Sequence, residues 1–223
     1  MHSAVEKFCE SLWKLCVYTA FFGLGLAAVW QQPWLLDTWQ FWVGWPHHEF
    51  TLPMQLLYSL ELGFYIASVF MIVAWEVRRR DFAAMFAHHV ATVVLIAASL
   101  HLGFWRVGVV VMVLHDACDV LMEAAKLAKY AAREDAAVGL FAVFVAAWLA
   151  LRLVAFPLMV LRSSLFELPA VLGGGPAPAW LRAFNALLLG LLLLHCYWFG
   201  LILRVVWLTL ATGAASDVRE DDD

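Results

Sequence analysis

Six long apolar segments constrain this chain more than any other feature of its sequence. Each can form a helix of about 20 residues or more, which is enough to cross a hydrocarbon core of roughly 30 Å. The segments are Leu12–Trp30, Met54–Trp75, Ala83–Leu100, Val107–Leu127, Ala136–Leu161 and Leu181–Leu210. Of all residues, 65% are hydrophobic and only 14% are charged, which leaves too little polar surface for a water-soluble globule. The sequence therefore predicts an all-α, polytopic membrane protein with about six transmembrane helices in one bundle.

Two connections between these segments are rich in proline and glycine. They are Gln31–Pro53 and Arg162–Trp180, and both are predicted to be exposed loops because such residues break helices. Pro157 lies inside the fifth segment and predicts a kink there, because proline cannot donate the backbone hydrogen bond of a regular helix.

The distribution of lysine and arginine predicts the orientation, since positive residues are concentrated on the cytosolic side of membrane proteins. With six spans both termini face the same side, and that side carries Lys7, Lys14, Arg78, Arg79, Arg80, Lys126, Lys129, Arg133, Arg204 and Arg219. The opposite side carries only Arg106, Arg162 and Arg182. We therefore expect a cytosolic N-terminus at residues 1–10, a transmembrane domain at 11–210 and an acidic, disordered cytosolic tail at 211–223.

Ionisable side chains inside membrane spans are costly, and they are therefore candidates for function. The third segment carries His88 and His89, and the fourth carries His115, Asp116 and Asp119. A short turn joins these two segments, so residues equally far from the turn are expected at the same depth. The five side chains are predicted to form one buried polar centre, nearer to the cytosolic side of the membrane.

The chemistry of this centre follows from its residue types. A carboxylate beside an imidazole fixes the tautomer of the ring and stabilises its positive charge, as a general base or an activated nucleophile requires. One of His88 or His89 is expected to react, with Asp116 and Asp119 orienting it and His115 relaying a proton or holding Asp119. Glu123 and Lys126 continue the helical stripe and are predicted to form an ion pair.

Other polar residues have simpler interpretations. Glu61 and Arg152 are predicted to pair with each other, and His195 to form an interhelical hydrogen bond. Metal hydrolases and di-iron desaturases also use clusters of histidine and aspartate, but the HxxxH spacing of the desaturases is absent from this sequence. No metal is therefore expected, and the lack of a basic block argues against a nucleic-acid partner.

The stretch from Arg79 to Tyr130 resembles the Lag1 motif of the ceramide synthases. It contains RRDF, HHVAT, LHDACD and LMEAAK in the order of that family. Further stretches that are similar to the family are Lys7–Tyr18, Trp42–Pro46, Tyr58–Tyr65 and Leu194–Arg204. The resemblance therefore covers about residues 5–210 and identifies one TLC domain, with the Lag1 motif at about 79–130.

The resemblance implies transfer of a fatty acyl group from acyl-CoA to the amino group of a sphingoid base, giving a ceramide and CoA. The cationic side chains of Arg78, Arg79, Arg80 and Lys126 would then attract the anionic CoA head, and His195 and Trp198 would line the acyl tunnel. Acyl-CoA is a co-substrate, and no cofactor is expected. The resemblance also implies contact with membrane lipid and residence in the endoplasmic reticulum membrane, and it leaves room for a homodimer.

Two other functions are compatible with parts of this pattern. A TLC-type protein that binds or senses lipids without catalysis would keep the fold, but it would need no histidine–aspartate centre. A transporter could use the same residues as a proton relay, but the sequence contains neither an inverted repeat nor paired broken helices. The intact HH and HDxxD sets favour the enzyme.

Overall fold

The fold comes from a computed structural model, which describes residues 4–74 and 80–212. Six long helices make up most of this part of the chain, and they are α1 (Ala4–Val29), α2 (Leu52–Ala74), α3 (Phe82–Leu102), α4 (Trp105–Tyr130), α5 (Glu134–Val171) and α6 (Ala179–Thr212). The described ranges contain no β-strand, which confirms the predicted all-α membrane fold. The predicted acidic tail lies almost entirely outside them.

The polar helix α4 lies within the bundle. The other five helices are long and apolar enough to cross a membrane, but α4 is not, because its polar stripe lowers its hydropathy. It packs mainly against α1 and α5, and the side chains of His115, Asp116 and Glu123 are buried. The polar residues of α4 therefore face other helices rather than lipid, and six membrane crossings remain a prediction.

A tight turn joins α3 to α4, as the sequence predicts. Gly103 has a φ of 71°, in the left-handed region that glycine tolerates best. The N–H groups of Gly103 and Phe104 both donate to the carbonyl of Ser99, which satisfies the carbonyl end of α3. This turn leaves only Gly103 and Phe104 between the two helices.

The helix α5 differs from the prediction, because it continues through part of the expected loop and ends at Val171. Its central section is wound with the wider turn of a π-helix over Trp148–Leu161 and Ser163–Glu167. Pro157 lies inside this section, where the predicted kink takes the form of a change in helical winding. Pro169 is the second residue of the last α-helical turn, Leu168–Val171, which follows directly on the π-wound section.

The connection between α1 and α2 fastens the end of the bundle opposite to the predicted cytosolic face. The indole of Trp42 is buried and donates a 2.6 Å hydrogen bond to Ser163 Oγ on α5. Ser164 donates a 2.6 Å bond to Asn185 on α6, and Thr38 donates a 2.9 Å bond to Glu167. One long connection and two helices are thereby held together around the π-wound section.

Candidate active site

His88 and His89 lie on α3 about two turns from its start, and both face the interior to different degrees. The side chain of His88 is buried, whereas that of His89 is half-buried. Their rings are 5.6 Å apart, and each Nδ1 atom lacks a hydrogen-bond partner. A backbone group of Ser68 on α2 interacts with the His89 ring.

Aromatic rings enclose this histidine pair on two sides. Tyr65 of α2 lies 5.7 Å from the His89 ring and 6.5 Å from the His88 ring, in edge-to-face contacts. Trp198 of α6 lies 5.3 Å from His88, also edge to face. The sequence motifs do not single out Tyr65, although its position four residues after Glu61 places both on the same face of α2.

Trp198 also secures the start of α3. Its indole N–H donates a 3.2 Å hydrogen bond to Asp81, whose buried carboxylate directly precedes the helix. One tryptophan therefore contacts the ring of His88 and the acidic residue of the RRDF sequence. Its predicted position in an acyl tunnel stays a prediction, and the contact that it makes positions His88.

His115 and His195 form a buried imidazole pair between α4 and α6. Their Nε2 atoms are 2.9 Å apart, and His115 Nδ1 lies 2.7 Å from the Val111 carbonyl. A carbonyl only accepts, so His115 donates from Nδ1 and its neutral Nε2 accepts from His195 Nε2–H. The predicted interhelical hydrogen bond of His195 is confirmed, and Phe156 packs against both rings.

The structure assigns Arg152 a different partner from the predicted one. Its guanidinium donates a 2.7 Å hydrogen bond to Asp119 and a 3.1 Å bond to the His115 carbonyl. The same group lies 4.2 Å from the centre of the Trp148 ring. The predicted Glu61–Arg152 pair is therefore wrong, because α5 presents Arg152 to α4 rather than to α2.

Glu61 pairs with another carboxyl group instead. The carboxyls of Glu61 and Asp116 share a hydrogen bond between α2 and α4. Both side chains are almost fully buried, with 2% and 1% of their surface exposed. Glu61 Oε1 and Asp116 Oδ2 have no hydrogen-bond partner. The two buried carboxyls therefore lie side by side in the bundle, and each has one oxygen atom without a hydrogen-bond donor.

The predicted polar centre thus divides into two groups that α6 connects. One group is His88 and His89 on α3; the other lies on α4 and includes His115 and Asp119. Among the described residues no hydrogen bond joins Asp116 or Asp119 to either ring of the α3 pair. His195 and Trp198, three residues apart on one face of α6, contact one group each. The sequence pattern predicted that Asp116 and Asp119 orient His88 or His89. Between these side chains, all within the described residues, the structure shows no such direct contact.

The predicted CoA-binding cations are only partly described. Arg78 and Arg79 lie outside the described residues, and Arg80 is exposed just before α3. Lys126 forms the predicted ion pair with Glu123, at 2.7 Å, and its side chain is 29% exposed. Arg80 and Lys126 therefore lie near the predicted cytosolic ends of α3 and α4, where an anionic group could approach.

Comparison with known proteins agrees with the sequence resemblance. The TLC domain family model matches residues 7–204. ASC1-like protein 3 of Oryza sativa subsp. japonica is 40% identical over 98% of this chain and 78% of that protein. Ceramide synthase LOH2 of Arabidopsis thaliana is 40% identical over 98% of this chain and 76% of that protein. Ceramide synthase 5 of Mus musculus is 39% identical over 97% of this chain and 52% of that protein. The chain therefore belongs to the TLC-domain family, within its ceramide synthase group.

Proposed function

We propose that this protein is a ceramide synthase, which transfers a fatty acyl group from acyl-CoA to the amino group of a sphingoid base. The observation that carries the proposal is the buried, aromatic-lined pair of His88 and His89, each with a free Nδ1 atom. Relatives that are named ceramide synthases and match nearly the whole chain support the same activity over lipid binding without catalysis.

The depth of the histidine pair suits these substrates. His88 lies six residues after Phe82, the first residue of α3, or about 9 Å along the helix. An acyl chain and a sphingoid tail both partition into hydrocarbon, whereas the CoA head is anionic and stays in water. If the thioester of acyl-CoA is held near His88, the acyl chain can extend into the hydrocarbon while the CoA head stays in water.

The chemistry requires a neutral imidazole with an accessible lone pair. Such a nitrogen can take a proton from the attacking amine, or it can attack the thioester carbon and form an acyl-imidazole that the amine then cleaves. In both routes the C–S bond of the thioester breaks, an amide C–N bond forms, and CoA leaves as a thiol. His88 and His89 each have an unpartnered Nδ1 atom that would supply this lone pair.

The second polar group supports this chemistry through its charge and rigidity. Arg152 holds Asp119 and the backbone of His115, and His115 holds His195. We propose that these contacts fix α4, α5 and α6 around the acyl-transfer site, with His115, Asp116 and Asp119 stabilising charge that develops there. On α6, His195 contacts His115 and Trp198 contacts His88, so this helix touches both groups.

The proposal extends to substrate capture and location. Arg78, Arg79, Arg80 and Lys126 would attract the CoA phosphates at the cytosolic face, and His195 and Trp198 would line the path of the acyl chain. We also propose residence in the endoplasmic reticulum membrane with both termini in the cytosol. A homodimer is part of the same proposal, and acyl-CoA serves as co-substrate with no further cofactor.

Product analysis by mass spectrometry tests the activity directly. The purified protein in detergent would receive sphinganine and a panel of acyl-CoAs, with parallel reactions that lack one substrate. Formation of N-acylated base only when both substrates are present is the expected result. A folded, monodisperse preparation that binds both lipids and forms no amide with any acyl-CoA would contradict the proposal.

A further inference from the structure

We propose that Glu61 and Asp116 together form the site that binds the ammonium group of the sphingoid base and accepts its proton. This inference rests on the proposed function and adds Glu61 as a catalytic residue. It starts from the hydrogen bond that the two carboxyls share between α2 and α4. An ionised carboxylate is only an acceptor, so a hydrogen bond between two carboxyls requires at least one proton.

The pair can therefore hold at most one negative charge, and the proposed site uses this singly charged form. Two carboxylates in contact in a buried site repel each other, so the doubly ionised state is disfavoured. A buried single charge without a counter-ion is costly, and it favours a cationic ligand of matching size. A sphingoid base meets this requirement, because its primary amine, like that of lysine, is protonated near neutral pH.

The unpartnered atoms point to the same kind of ligand. Glu61 Oε1 and Asp116 Oδ2 are buried acceptors without a donor, and each such atom costs about 1–3 kcal/mol when left unpaired. An ammonium group carries three N–H donors and can satisfy both atoms at once. Arg152 does not serve this purpose, because it is bound to Asp119.

The position of Glu61 brings this charge close to the histidine pair. Tyr65 lies one helical turn after Glu61, on the same face of α2, and its ring contacts both His88 and His89. His88 Nδ1 is also buried and unpartnered. The face of α2 that carries Glu61 therefore also contacts the histidine pair, through Tyr65.

The proton balance of the step is simple. One N–H bond of the ammonium breaks, and the proton passes to the charged carboxylate, which leaves two neutral carboxyl groups and a neutral amine. The nitrogen lone pair then attacks the acyl carbon, the bond from that carbon to its leaving group breaks, and the second amine proton ends on the CoA thiol. Loss of one proton from the carboxyl pair to water restores its negative charge.

The test compares binding of two lipids that differ in charge. Radiolabelled sphinganine and octadecane-1,3-diol, which lacks the amine, would be titrated into the purified protein in the absence of acyl-CoA. Glu61→Gln and Asp116→Asn should each weaken sphinganine binding by at least about tenfold. Diol binding should not change in either variant. Glu167→Gln is the matched control, because Glu167 is a mostly buried carboxyl at the other end of the bundle, and it should change neither affinity.

If the variants weaken the binding of sphinganine and of the diol equally, Glu61 and Asp116 only stabilise the fold. This result would overturn the inference. Unchanged sphinganine binding in both variants would overturn it as well, even if the protein makes ceramide. Charge-selective binding that depends on both carboxyls would support it. Such binding in a protein that forms no ceramide would still support the ammonium site while contradicting the proposed function.

Discussion

Arg152 and Asp119 form an ion pair between α5 and α4, with a distance of 2.7 Å from the guanidinium Nη2 to Asp119 Oδ1. Both side chains are largely buried, at 4% and 13% exposure. Removing one partner of such a pair leaves an uncompensated charge, whereas removing both does not. The pair is therefore sensitive to single changes.

Arg152→Met is expected to lower the free energy of unfolding by about 3–5 kcal/mol, because Asp119 would remain buried and unpaired. The double variant Arg152→Met/Asp119→Leu should recover much of this loss while remaining impaired in acyl transfer. Thermal denaturation in detergent, followed by circular dichroism, measures the first effect and amide formation the second. A double variant less stable than the single one would contradict the account.

His195→Leu is expected to leave His115 Nε2 without its donor, at a cost of about 1–3 kcal/mol in stability. His195→Gln can still donate an N–H to that nitrogen and should retain most of the stability. The two variants would be compared in thermal denaturation and in turnover. Equal behaviour of leucine and glutamine at this position would show that the 2.9 Å contact between the rings has no energetic role.

Gly108→Ala tests the packing between α2 and α4. An added Cβ at residue 108 would overlap Tyr58 Oη and lie 2.5 Å from Ser99 Oγ, two atoms that share a 2.6 Å hydrogen bond. Overpacking of this kind costs about 1–3 kcal/mol. Gly190→Ala on α6 is the control, because its added Cβ meets no atom within 4 Å. Similar melting temperatures for the two variants would contradict this packing.

His48 predicts how stability changes with pH. It lies in the connection between α1 and α2, where burial, together with the charge of Arg106, lowers its pKa from 6.5 despite a hydrogen bond with the Val43 carbonyl. The unfolded chain therefore binds this proton more readily, so stability should fall as the pH drops through about 6.5. His48→Gln should reduce this fall in thermal denaturation measured from about pH 7.5 to about pH 5.5. An equal slope in the variant would contradict the assignment.

Local sequence pattern predicted the helices, the turn at Gly103 and the Glu123–Lys126 pair, because each depends on residues close in the chain. The partner of Arg152 depends on which face α5 turns toward α4. The π-helical winding around Pro157 changes which side chains face α4. A sequence pattern based on 3.6 residues per turn does not predict this change. The sequence therefore identifies the polar residues of α4 but not the residues of other helices that contact them.

The candidate site shows the same division. The motif resemblance identified His88, His89 and the α4 cluster, since each occupies a short continuous stretch of the chain. The roles of Tyr65 and Glu61 were missed because their contacts come from α2, which is distant in sequence from α4. Only the packing of α2 against α3 and α4 reveals that Glu61 meets Asp116 and that Tyr65 meets both histidines.

The most direct measurement compares turnover of single histidine variants with acyl-CoA and sphinganine at saturating concentrations. His88→Ala and His89→Ala should each retain a folded, monodisperse state, and at least one should lose about a hundredfold or more in kcat. His101→Ala is the matched control, because this exposed histidine lies at the other end of α3, and it should keep normal turnover. Near-normal turnover in a well-folded His88→Ala/His89→Ala double variant would contradict the central claim that this pair performs the acyl transfer.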